Sequence, residues 1–209
     1  MKIALFGATG RTGQQFLVQA IAAGHEITAV VRDPTRLPDR TGLSVVAADV
    51  MDPDAIGPLI AGQDAVVTAI GPRQTRTPVT VQTDSTTSII DAMRHNHVRR
   101  LVVVSNSGMI ATGDGPFTRM IVKPIVRRIL RHTFADMRRM EELVRANGLD
   151  WTIVRPPMLT EGKRTGTYRT AIDRNVRGGI RISRADVADS LLRCLAAPEL
   201  IHAAVSVAN

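Results

Sequence analysis

A seven-residue run, Gly7-Ala8-Thr9-Gly10-Arg11-Thr12-Gly13, follows directly on an apolar segment, Lys2–Phe6, and opens a stretch of helical character that ends at Gly24. At a strand-to-helix junction the first glycine of such a run allows a sharp turn. The second lets backbone approach a ligand closely, and the third lets the helix lie against the sheet. The helix that starts there points unpaired amides and the positive end of its dipole at whatever fills the turn, which favours a pyrophosphate. A bare glycine pattern also closes junctions that bind nothing. Here strand, turn, helix and a second strand at Glu26–Val31 come in the required order within about thirty residues, so the run reads as a dinucleotide-binding turn.

The rest of the 209 residues continues in the same alternation. Further strands are expected at 44–48, 65–70, Arg100–Val104, 151–154 and 203–207. Most are continuous apolar runs, as in parallel sheets covered on both faces. Helices are expected at 13–23, 80–95 and from Pro124 to Gly148, the last with Val126, Leu130, Thr133, Met137, Met140 and Val144 on one stripe. Ser183 and Asp186 form a capping pair that opens a helix through Leu195. The fold class is therefore α/β: a single domain over residues 1–209 with a doubly wound, mostly parallel sheet and helices on both faces. Segments at about 107–124 and 156–182 form its substrate side, and the Gly- and Thr-rich stretch 161–179 is expected to be irregular.

At the end of the second strand, an NAD site presents a carboxylate to the ribose hydroxyls. This chain has Val31-Arg32-Asp33-Pro34-Thr35-Arg36, so Arg32 takes that place and Arg32 with Arg36 suits a 2′-phosphate, with Asp33 turned elsewhere. The cofactor is expected to be NADP (NADPH) on this ground. Asp49, after the third strand, suits either the adenine amino group or the cap of its own turn. Ser105 and Ser107 stand where the fifth strand meets the ligand edge, and suit either a nicotinamide or substrate contact or the strand end itself.

Composition narrows the chemistry. The single tyrosine, Tyr168, lies beyond the sixth strand, and the helix that would carry a catalytic tyrosine and lysine has Phe134 and Arg138. Reactions that need a phenol to exchange a proton with a carbonyl or alcohol are thereby disfavoured. A flavin or quinone takes its proton from water and needs no such donor. The single cysteine, Cys194, forms no disulfide within the chain and suits a reducing compartment, and the histidines show no metal-ligand spacing, so no metal is expected. Neither a secretory signal nor an apolar run long enough for a membrane span is visible, so a cytoplasmic location is expected. Net charge is +8, and the segment 117–139 carries seven basic side chains against Asp136 alone. Both an anion-attracting face and a solvated helix face fit that pattern; no nucleic-acid motif accompanies it, and the oligomeric state is left open.

These motifs, together with Gly62-Gln63-Asp64-Ala65-Val66 leading to Ile70-Gly71, Trp151-Thr152-Ile153-Val154-Arg155-Pro156-Pro157 and Ile182-Ser183-Arg184-Ala185-Asp186-Val187-Ala188, resemble the atypical short-chain dehydrogenase/reductases. The resemblance is to their biliverdin-IXβ reductase/flavin reductase branch and to the NmrA-like proteins. It implies a single-domain Rossmann fold and NADPH-dependent reduction of a flavin or a similar flat conjugated substrate such as a quinone, or, as the alternative, an NmrA-like protein that binds NADP and senses redox state without catalysis. It also implies that Gly7, Thr9, Gly10, Arg11, Thr12 and Gly13 meet the pyrophosphate and Arg32 and Arg36 the 2′-phosphate. Asp49 and Val50 would flank adenine, and Ile70, Gly71 and Arg73 the ribose and phosphates. Ser105, Pro157 and Met158 would border the nicotinamide, and Ser107 the substrate. Met158 stands where the flavin reductases have a histidine.

Overall fold

The alternation of buried β-branched runs and amphipathic stretches is realised as β1 (Lys2–Phe6), α1 (Arg11–Ala22), β2 (Glu26–Val31), β3 (Leu43–Ala47), α2 (Pro53–Ile60), β4 (Ala65–Thr68), α3 (Val81–His95), β5 (Arg100–Val104), α4 (Lys123–Ile129), α5 (Arg131–Ala146), β6 (Asp150–Arg155), β7 (Met158–Thr160), β8 (Arg169–Ile172), β9 (Arg181–Ser183), α6 (Arg184–Leu195) and β10 (Ala203–Ala208). The computed structural model describes residues 1–71, 77–115, 120 and 123–209. Eight strands form one sheet in the order β3-β2-β1-β4-β5-β6-β10-β8, and β7 pairs with β9 in a separate two-stranded piece. All pairings in the large sheet are parallel except β10 with β8.

The alternation along a strand divides the core. Ile3 and Leu5 of β1 face one side, where they meet Phe16 and Leu17 of α1 and Leu191 of α6. Ala4 and Phe6 face the other, against Ile56 and Ile60 of α2 and Ile89 and Met93 of α3. Both faces are thus covered, which is why the strands read as unbroken apolar runs. Phe16 is fully buried, and its removal from water contributes about 1.5–3 kcal/mol. Cys194 belongs to the same layer, and burial pushes its thiol up to about 11, consistent with a packing role.

The structure departs from the sequence expectations in three places. The long helix expected from Pro124 is two helices broken at Leu130, whose backbone leaves the helical region at ψ 20°. The break lets α5 lay Phe134, Met140 and Val144 into the core while α4 is held against the turn beyond β5. Helix α2 carries Gly57 and Pro58, poor helix formers that hide it from periodicity. It is held by the Asp52 carboxylate on the amides of Asp54 and Ala55 and by buried Ile56 and Ile60. The stretch 161–179 contains β8, a mostly exposed edge strand without an apolar pattern to announce it. The capping pair is present as expected: Ser183 Oγ accepts from the Asp186 amide at 2.9 Å.

Candidate functional site

In a sheet of this order the chain reverses direction of winding between β1 and β4, and the crevice at the carboxyl ends of the strands there is where such folds take ligands. A cleft of about 710 Å³ opens at that place. Gly7, Thr9 and Gly10 of the turn form one wall, and Arg32 and Arg36 after β2 form another. Asp49 and Val50 after β3 and Ile70 and Gly71 after β4 complete the expected lining, all named from the sequence. Phe6, Val30, Val31, Ala48, Met51, Ala69, Val79 and Val81 also line it. Those at strand ends are implied once the strands are placed. Met51, Val79 and Val81 carry no signal in the sequence.

The turn is shaped for a close ligand. Gly7 has φ +84°, and a Cβ there would stand 2.7 Å from the Ala69 carbonyl carbon. A Cβ on Gly13 would stand 2.1 Å from the Gly7 carbonyl oxygen, so only glycine lets α1 pass this close beneath the turn. Helix α1 begins after Gly10 with no side chain capping its amides, whereas α2 and α6 each receive one. Uncapped first-turn amides over a cleft are what an anion requires. Asp33 is turned away as expected: it accepts from the Thr35 amide at 3.1 Å and its hydroxyl at 2.6 Å, and those bonds, the hydroxyl's foremost, hold its carboxyl below the usual range. Asp49 lines the cleft and also accepts from the Met51 amide at 3.0 Å, so the turn-capping role is present. The lining is of a kind that fits a dinucleotide: apolar side chains, two arginines and a bare helix end.

Other expected residues lie elsewhere. Arg11 does not line the cleft; its guanidinium reaches Glu161 at 2.7 Å, a carboxylate that Arg184 shares at 2.5 Å. Thr12 and Gly13 sit behind the wall rather than in it. Ser105 does not line the cleft either. It is 3% exposed, and its hydroxyl donates to Glu141 at 2.7 Å, where Arg155 also binds that carboxylate through Nε at 2.9 Å. Ser105 and the arginine of the Arg-Pro-Pro run therefore tie the ends of β5 and β6 to α5. Pro157 and Met158 are outside the cleft, Met158 being 63% exposed at the start of β7. Arg73 lies outside the described residues.

Ser107 is also outside the cleft, buried in a short 3₁₀ turn directly beyond β5; its amide donates to the Pro156 carbonyl at 2.9 Å. Tyr168 donates its hydroxyl to Asp189 at 2.8 Å, and burial followed by that bond pushes its phenol well above the ordinary tyrosine range. Arg164 and Arg193 hold the same carboxylate, so the tyrosine belongs to an ion cluster on α6. Lys123, expected on a basic face, is 6% exposed and paired with Asp114.

A family model described as NAD(P)H-binding matches residues 7–198. The uncharacterised protein YwnB of Bacillus subtilis is 30% identical over 205 residues, covering 95% of this chain and 94% of its own. Among solved structures, a Streptococcus pneumoniae protein provisionally named an NADH-flavin reductase is 25% identical with a TM-score of 0.76, covering 100% of this chain and 99% of its own. A Veillonella parvula short-chain dehydrogenase/reductase in complex with NADP shares the fold at 18% identity, with a TM-score of 0.83 and coverage of 100% and 94%. Since the match to the model runs from the first glycine of the turn through α6, the chain belongs to the NAD(P)H-binding family.

Proposed function

We propose that the chain is an NADPH-dependent reductase that passes hydride to a flat conjugated acceptor, a flavin or a quinone, laid over the nicotinamide. The observation that carries this reading is the position of the only tyrosine. With Tyr168 bound into the Asp189 cluster and its phenol strongly disfavoured from ionising, the chain has no phenol to exchange a proton with a carbonyl substrate. An acceptor that protonates from water needs only to be held in contact with the reduced cofactor.

NADPH supplies the hydride when bound. Arg32 and Arg36 recognise its 2′-phosphate, the amides of α1 its pyrophosphate, and Val50 and Ile70 pack on its adenosine half. Ser107, beyond β5, orients the nicotinamide and acceptor end. The pneumococcal relative's provisional name supports a flavin as acceptor, and the Veillonella structure supports NADP as cofactor. The reading places the protein in the cytoplasm and among the atypical short-chain dehydrogenase/reductases. Among the described residues no helix is long and apolar enough to cross a membrane.

The test is steady-state oxidation of NADPH with flavin mononucleotide, riboflavin and small quinones. Turnover with at least one is expected. Tight cofactor binding with none of them reduced would refute the reading and favour a redox sensor.

A further inference from the structure

Two segments distant in sequence, α4 and the loop that carries Asn175, close on the carbonyl of Ser107. Lys123, the first residue of α4, donates Nζ to the Ser107 carbonyl at 3.2 Å, and its ammonium is paired with Asp114, both side chains nearly buried. Asn175, 6% exposed, donates Nδ2 to the same carbonyl at 3.2 Å, to the Ile110 carbonyl at 3.2 Å and to Asp114 Oδ1 at 3.0 Å. The Asn175 amide donates to the Thr112 carbonyl at 2.7 Å, and a Cβ on Gly113 would stand 2.4 Å from the Asn175 carbonyl oxygen, so backbone meets backbone there. One turn along α4, Arg127 donates to the Met109 carbonyl at 2.9 Å.

A buried ion pair is a poor device for stability, because desolvation offsets the attraction and apolar side chains would hold the segments as well. What it adds is direction. A lysine whose ammonium is fixed by a carboxylate and a carbonyl sets the position of that carbonyl, and the carbonyl here belongs to the turn that leaves β5 at the ligand edge. The chain uses arginine for almost every cation, and its other lysines, Lys2 and Lys163, are exposed. Burial, opposed by the bond to Asp114, lowers the Lys123 ammonium below the ordinary lysine range, so Asp114 is also what keeps the charge in place.

We propose that Lys123, held by Asp114 and sharing the Ser107 carbonyl with Asn175, is a positioning residue that sets the turn at residues 107–109, and through it the acceptor side of the site, while leaving the cofactor side unaffected. The proposal rests on the reductase reading above. The dinucleotide-binding wall is built from the ends of β1 to β4, whereas this cluster touches only segments beyond β5, so the two halves are separable by mutation.

The test compares the wild type with Lys123→Met/Asp114→Asn, which removes both charges and leaves no lone buried ion. Lys123→Met alone serves as the destabilised control. Expected for the double variant are a fall of about tenfold or more in kcat and an NADPH Kd within about twofold of wild type. Faster amide exchange over residues 107–114, with the Gly7–Gly13 turn unchanged, should accompany it. Ser107→Ala should lower kcat in the wild type and lower it no further in the double variant, since coupled residues are not additive. Additive losses, NADPH affinity falling in parallel with kcat, or unchanged exchange at 107–114 would each overturn the proposal. If the wild type reduces no acceptor, the reductase reading fails. The positioning claim then stands or falls on amide exchange and on flavin mononucleotide binding to the NADP-loaded protein, which the double variant should weaken about tenfold against wild type. Equal affinity would overturn it.

Discussion

Replacing Arg32 by alanine separates the two nicotinamide cofactors. Arg32 and Arg36 stand together on the wall of the cleft after β2, and neither is paired with a carboxylate among the described residues. A phosphate monoester carries about −1.5 to −2 charge near neutral pH. The Coulomb energy of one cation 4 Å from one unit of that charge is about 1 kcal/mol in water and about 4 kcal/mol at the effective dielectric of a protein surface. A hydrogen bond to a charged group contributes about 1.5–3 kcal/mol net, which falls between those limits. Removing Arg32 while Arg36 remains should therefore weaken NADPH about 10- to 100-fold, at 1.4 kcal/mol per factor of ten. NADH has no 2′-phosphate and should bind nearly as before. Asp33 offers no substitute contact, because Thr35 holds its carboxylate through Oδ1 and it does not line the cleft. Calorimetric titration with both cofactors at one low salt concentration measures the difference, and repetition at higher salt should narrow it, since exposed charges are screened. Equal losses for the two cofactors, or a wild type that prefers NADH, would refute the assignment of this wall to the 2′-phosphate.

Gly13→Ala drives a Cβ into the Gly7 carbonyl oxygen at 2.1 Å, so α1 must move off the turn; cofactor affinity should be lost and stability lowered by about 1–3 kcal/mol. Gly24→Ala is its control: φ is +79° but the space is open, so thermal melting should show a loss of stability with cofactor titration unchanged. Tyr168→Phe removes one hydrogen bond from a carboxylate that keeps Arg164 and Arg193, costing about 1 kcal/mol by denaturant titration and leaving kcat unchanged. A large fall in kcat would mean the phenol takes part in turnover. Asp186 is buried, which raises its carboxyl, but the amides of Gly166 and Thr165 and the hydroxyls of Ser183 and Thr165 outweigh burial and hold it low. A depressed folded-state pKa contributes stability that is present above the unfolded value of about 3.9 and is lost as pH falls from there through the folded value. Urea titrations of wild type and Asp186→Asn should therefore converge as pH is lowered below about 4. A constant gap would refute the linkage.

How much of this could be read from the chain depends on the distance over which each feature is determined. The Gly7–Gly13 turn, the Asp33 carboxylate folded onto Thr35 and the Ser183–Asp186 cap are settled within a few residues, and each is in place. The strands that carry the cleft are legible because burial on both faces leaves a continuous apolar run. Helix α2 is not, because its stability comes from Asp52 at one end and buried isoleucines beneath, against the local preference of Gly57 and Pro58. Ser105 and Ser107 are two residues apart at the same strand end, and the sequence favours a strand-end role more for Ser105 than for Ser107. The side chain that takes the hydroxyl of Ser105 is Glu141, 36 residues further on; Ser107 is also buried and is not among the residues that line the cleft.

The same reasoning bears on the basic segment. Seven cations in one stretch read as a face, yet Lys123 is withdrawn from it by Asp114 and Arg127 bends back to the Met109 carbonyl, both toward the turn beyond β5. Charge counted along the sequence is therefore a poor guide to charge presented to solvent. Where an acid nine residues upstream has the geometry to bury a lysine, part of the apparent patch becomes scaffolding for the edge where the acceptor is proposed to sit. The arginine of Arg-Pro-Pro shows the same conversion. Its buried bond to Glu141 fixes the end of β6 beside Ser105, so a motif that marks the fold does so by holding two strand ends in register with α5, while the arginines that line the cleft are those after β2.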